Sequence, residues 1–80
     1  MNYKKSDFLT PFSYARKYKL EKDLVLSAMV FAYKNKENVK IFSTKRPLVL
    51  KKSSTYYLRP EPVAQERFIE IINTIKEKQK

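Results

Sequence analysis

Lys51-Lys52-Ser53-Ser54-Thr55 sets two ammonium groups beside three hydroxyls. Such donors suit phosphate oxygens, which take most protein–DNA hydrogen bonds. Lys45 and Arg46 precede this stretch, Tyr56 and Tyr57 follow it, and Arg59 closes it. On a strand Tyr56 and Tyr57 face opposite ways. One can enter a core, while the outward one, taken here as Tyr57, is free to stack on an unpaired base or lie against a sugar. Arg16, Lys17, Lys19 and Lys22 form a second cationic cluster that suits a neighbouring phosphate strand. For each cluster the plain alternative is a solvated surface. Lys76, Lys78 and Lys80 read as a fraying basic tail.

Other chemistry is excluded by composition. The 80 residues contain neither cysteine nor histidine. Thiolate and imidazole metal sites, disulfides and nucleophile–histidine catalysis are therefore ruled out. The eight acidic residues stand mostly beside Lys or Arg, and no pair has the spacing or apolar setting of a general acid and base. The sequence predicts no catalytic residue, no metal and no cofactor. Its net charge of +10 predicts a polyanionic partner. Nucleic acid comes first, DNA before RNA, and an anionic membrane surface second. The competing explanation is the lysine-rich usage of an AT-rich genome. No apolar run is long enough for a membrane span. The N-terminal MNYKKSDFLT has no signal-peptide core. A cytoplasmic protein without a membrane partner is expected.

The elements that must position these groups can be read in order. Residues 1–80 are expected to form one small domain, with 1–7 and 77–80 loose. A first helix over 8–18 has Thr10 as N-cap and Pro11 at its first position, with Phe12, Ala15 and Tyr18 as its apolar stripe. Lys19-Leu20 is a turn. A second helix over 21–33 ends where Asn35 or Asn38 takes the left-handed conformation. Residues 39–44 (VKIFST) predict one strand, broken by Lys45-Arg46-Pro47. Residues 48–52 and 55–59 predict a hairpin. With no glycine available for an Asn-Gly turn, its loop is expected to exceed two residues. Pro62 opens a last helix in which Phe68, Ile71, Ile72 and Ile75 line one face, with Ala64 a turn earlier.

The order is α+β: two short helices, a small antiparallel β region and a closing helix. With Leu9-Thr10, Ala15, Lys19-Leu20 and Glu21 in register, followed by Val25, Ala28 and Met29, the chain resembles small winged helix-turn-helix proteins of the excisionase and MerR type. Lys19 stands where that family has a turn glycine, and Glu21 where it has a Ser or Thr cap. A non-glycine residue in the left-handed region costs roughly 1 kcal/mol. The resemblance implies DNA binding in a protein of a mobile element, with the second helix in the major groove and the wing on the backbone or minor groove.

The second helix itself points elsewhere. If Val25, Ala28, Met29 and Ala32 face the core, the outward line is Asp23, Ser27, Val30 and Lys34, flanked by Leu26 and Phe31. Base edges are read by Arg, Lys, Asn or Gln, and this line offers almost none. Two arrangements are open: the last helix or the N-terminal segment covers this face, or Leu26, Val30 and Phe31 form a protein interface. Two functions follow. One is backbone-driven, weakly sequence-specific nucleic-acid binding. The other is an accessory subunit that docks its second helix on a replication or recombination enzyme, or on a second copy of itself, and helps to hold the template strand.

Overall fold

The structure, a computed structural model, describes residues 7–78. The looseness expected at 1–6 and 79–80, Lys80 included, lies outside the described residues. Glu77 and Lys78 continue the last helix, so no loosening begins at 77.

The first helix starts as its residues dictate. Thr10 is the N-cap of α1 (Pro11–Tyr18), and Ser13 N–H donates to Thr10 Oγ1 at 3.1 Å. Its buried face is Pro11, Tyr14 and Ala15. The predicted stripe is corrected here, because Phe12 is 58% and Tyr18 45% exposed. Tyr14 instead fills the core edge-on to Phe68 at 4.9 Å, and Tyr18 leans on it from outside at 4.6 Å. Burial and the neighbouring Tyr18 phenol push the Tyr14 hydroxyl up to about 12. Lys19 adopts the left-handed conformation (φ 56°), and Leu20 N–H closes the helix on Ala15 O at 2.8 Å. A lysine thus fills the turn position that glycine would occupy at lower cost.

α2 (Lys22–Lys34) buries Val25, Ala28, Met29 and Ala32, the predicted line. Its end differs from expectation. Asn35 keeps a negative φ and donates its side-chain amide to Phe31 O at 2.8 Å. The left-handed residue is Lys36 (φ 52°). Glu37 N–H reaches Ala32 O (3.0 Å) and Lys36 N–H reaches Tyr33 O (3.2 Å), the paired bonds of a Schellman cap.

The β region holds two hairpins where one strand and one hairpin were expected. β1 (Asn38–Ile41) pairs antiparallel with β2 (Thr44–Pro47), and β3 (Val49–Lys52) with β4 (Thr55–Leu58). Lys45-Arg46-Pro47 is strand, not a break. Pro47 sits in a two-stranded ladder with an open edge, where its missing N–H costs little. Both loops have two residues, so the expected longer loop is also corrected. Phe42 and Ser43 both have positive φ (50° and 70°), the pattern of a type I′ turn. Ser53 alone does so in the second loop (φ 56°). Non-glycine residues carry this conformation at about 1–2 kcal/mol each.

A bridge between Leu9 and Leu58 joins the N-terminal segment to β4. α3 (Pro62–Lys78) closes the domain with Ala64, Phe68, Ile71 and Ile72 buried and Ile75 packed beside them. The result is an α+β domain of three helices and two antiparallel hairpins around one core. Among the described residues no helix is long and apolar enough to cross a membrane.

Candidate nucleic-acid interface

From Asn38 to Leu58 the chain carries Lys40, Lys45, Arg46, Lys51 and Lys52 and no acidic residue. Both hairpins are therefore purely cationic. α3 is balanced, with Arg67, Lys76 and Lys78 against Glu66, Glu70 and Glu77. Ion pairs form at Arg59, with Glu61, and at Arg67, with Glu37 and Glu70. The cations of the hairpins face solvent without carboxylate partners.

Alternation along β3 sorts the side chains by face. Val49 and Lys51, with their partners Leu58 and Tyr56, share the face turned to the helices. There Lys51 Nζ lies 5.4 Å from the Tyr56 ring centre and 6.0 Å from that of Tyr33 on α2. The two tyrosines meet edge to face at 5.6 Å. Leu50 and Lys52 share the opposite face with Tyr57 and Thr55. Phe8, Leu50, Lys51, Lys52 and Tyr57 line a recess of about 350 Å³. Tyr57 is half-buried in that wall, which Lys51 and Lys52 also line. Such a wall suits the stacking of a base and the charge of its phosphate. Ser53 and Ser54 are exposed at the tip of this hairpin.

Arg16 and Lys17 in the last turn of α1, Lys19 in the turn and Lys22 at the start of α2 are all exposed. Lys17 rests 5.5 Å from the Tyr18 ring and Lys22 5.8 Å from the Phe12 ring. These contacts orient the ammonium groups and leave their charge unpaired.

Arg59 is placed differently from the other predicted cations. Its Nε donates to Pro47 O at 2.7 Å and its guanidinium meets Glu61 at 3.4 Å, with the side chain 14% exposed. It also lies 5.7 Å from the Phe8 ring. The bonds to Pro47 and Glu61 tie the hairpins to the residue just before α3. Arg67 does similar work at the base of β1, holding both carboxylate oxygens of Glu37 at 3.1 Å. Hydrogen bonds that it donates to Glu70 and then to Glu37 raise its already high pKa further.

The outer face of α2 is partly open among the described residues. Leu26 is 37% and Phe31 39% exposed, and Val30 is half-buried. α3 packs against the buried line of the helix, and Phe31 borders a recess shared with Ile71, Thr74 and Ile75 of α3. Sequence reasoning did not single out Lys40, which stands directly opposite Lys45, or Phe42, which is 84% exposed. Reading 38–47 as a hairpin would have placed both. Among the described residues no cluster of acidic side chains suits a metal ion. Comparison with protein-family models, with curated proteins and with solved structures finds no match.

Proposed function

We propose that this chain is a winged helix-turn-helix protein that binds nucleic acid, DNA before RNA, chiefly through its backbone and with little sequence preference. β3–β4 is the wing, and α1 and α2 are the helix pair. The protein acts in the cytoplasm and serves a mobile element as an architectural, recombination or regulatory factor. The observation that carries this reading is the acid-free pair of hairpins, with exposed, unpaired cations along both. The Leu9–Leu58 bridge and the closing helix support this reading, while the β1–β2 hairpin between α2 and β3 departs from a simple winged arrangement. The outward line of α2 is Asp23, Ser27, Val30 and Lys34, which offers one cation and no amide for base edges. Weak specificity follows from that line.

If roughly five phosphates are neutralised, log K for duplex falls against log salt with a slope of about −4 to −5. Fluorescence anisotropy across a salt series measures it. A flat response contradicts the proposal.

A second reading is favoured by one observation, the exposure of Leu26 and Phe31 beside half-buried Val30. In it α2 docks on a larger replication or recombination enzyme, and the basic hairpins hold the template strand. Leu26→Arg then leaves the fold intact and abolishes co-purification with a co-expressed partner. Unchanged co-purification removes this reading.

A further inference from the structure

The β1–β2 hairpin forms an arm whose details folding alone does not explain. It is anchored on one side only. Val39 is buried and Ile41 packs against the core. Leu48 N–H bonds to Glu37 O at 2.8 Å, and Glu37 is gripped by Arg67. All four residues of β2 are exposed. The arm is thus fixed at its base and presents one strand and its tip to solvent.

Two features of that free side oppose the stability of the isolated hairpin. Lys40 and Lys45 are cross-strand partners, both exposed, and like charges directly opposite each other repel. Phe42 holds a left-handed conformation that a bulky aromatic residue disfavours, and its ring is 84% exposed. An Asn-Gly pair would close the same turn without exposing a ring. A phosphate strand turns the lysine pair from repulsion into attraction. An apolar ring at the end of a cationic ribbon is the form of side chain that enters a duplex between base steps and partly unstacks them.

We propose that the β1–β2 arm is a second nucleic-acid contact in which Lys40 and Lys45 hold the backbone and Phe42 wedges between neighbouring bases of a duplex. The proposal rests on the nucleic-acid reading above. It adds a distortion of the duplex that backbone contact by the wing alone does not supply. Flexible pyrimidine–purine steps are the sites where insertion is easiest.

The test uses the full chain and a short duplex with 2-aminopurine at a central pyrimidine–purine step. Phe42→Asn removes the ring and suits the left-handed turn. Phe42→Trp keeps an aromatic wedge and, in a chain without tryptophan, supplies a single indole probe. The wild type is expected to raise the 2-aminopurine signal on saturation. Phe42→Asn should bind with an unchanged salt slope but lose that rise. Phe42→Trp should keep the rise, with the indole quenched by the duplex. Lys40→Gln with Lys45→Gln should flatten the slope by about 2. If the wild type binds with the expected slope and Phe42→Asn gives the same 2-aminopurine signal, the wedge is overturned and the nucleic-acid reading stands. If the wild type shows no salt-dependent binding, that reading fails and the wedge with it. If Phe42→Asn alters only self-association in sedimentation, the tip is a protein contact and the proposal is overturned.

Discussion

The two hairpins have the same length, two-residue loops without glycine and no acidic residue, yet the core treats them differently. In the wing, Val49 and Leu58 are buried partners, and Leu48 just before them is fully enclosed. In the arm only β1 turns side chains inward, and β2 is exposed throughout. The wing is therefore held by apolar burial. The arm is held by its base and by the Glu37–Arg67 pair. This segment contributes little to the core and carries opposed lysines and a bare ring, the features on which the proposed duplex contact rests.

Leu58→Ala probes the largest difference. A fully buried leucine should cost about 2–5 kcal/mol on truncation. Ile41→Ala in the arm, starting half-buried, should cost less than half as much in the same denaturant titration. Equal losses would erase the distinction between the hairpins.

The core shared by the wing and the helices also has an alkaline limit. Tyr14 ionises near 10 when unfolded and at about 12 when folded. Its contribution is complete below pH 10 and is lost as pH rises through 12, amounting to roughly 2–3 kcal/mol by linkage. Stability measured from pH 9 to 12 should fall accordingly, and Tyr14→Phe should flatten that fall. A wild-type-like fall in Tyr14→Phe would assign it to other groups.

How much of this is visible in the chain depends on where the signal is local. Thr10-Pro11 announces α1 because cap and first position are adjacent residues with fixed roles. The α3 stripe is legible because Phe68, Ile71 and Ile72 repeat at helical spacing. The buried line of α2 follows from the same periodicity. The arm is not legible, because Phe42-Ser43 is no turn signal and Pro47 reads as a break until the ladder is seen to have an open edge. Lys36 rather than Asn35 takes the left-handed cap, because the paired backbone bonds to Ala32 and Tyr33 fix the position that must turn. Arg59 looks like one more surface cation until Pro47 and Glu61 are seen around it. Lys51 and Lys52 were recognisable as a basic tip, but their division between two faces needed the register with Tyr56 and Thr55.

That division sharpens the comparison at the level of binding. Lys51→Glu acts on the face shared with α2 and on the rim of the recess, and Lys52→Glu on the recess beside Phe8 and Tyr57 alone. Each should weaken duplex binding by about 1 kcal/mol, somewhat under tenfold, without shifting the melting midpoint. A larger loss from Lys51→Glu places nucleic acid along the face shared with α2, and an equal or larger loss from Lys52→Glu places it along the recess. If neither changes affinity, the wing is not the contact.

The smallest effect lies at the arm's base. Glu37→Gln should cost about 0.5–1 kcal/mol at low salt, because the pair with Arg67 is partly exposed. It should also speed hydrogen exchange at the Leu48 amide. Unaltered exchange would show that Arg67 does not hold the arm.

The central claim is that the acid-free hairpins supply the electrostatic grip on nucleic acid. The direct measurement is duplex affinity against salt for the wild type and for a variant with Lys40, Lys45, Arg46, Lys51 and Lys52 all changed to Gln. The account predicts a wild-type slope of about −4 to −5 and a nearly flat variant. A variant that keeps the wild-type slope, or a wild type without one, contradicts it.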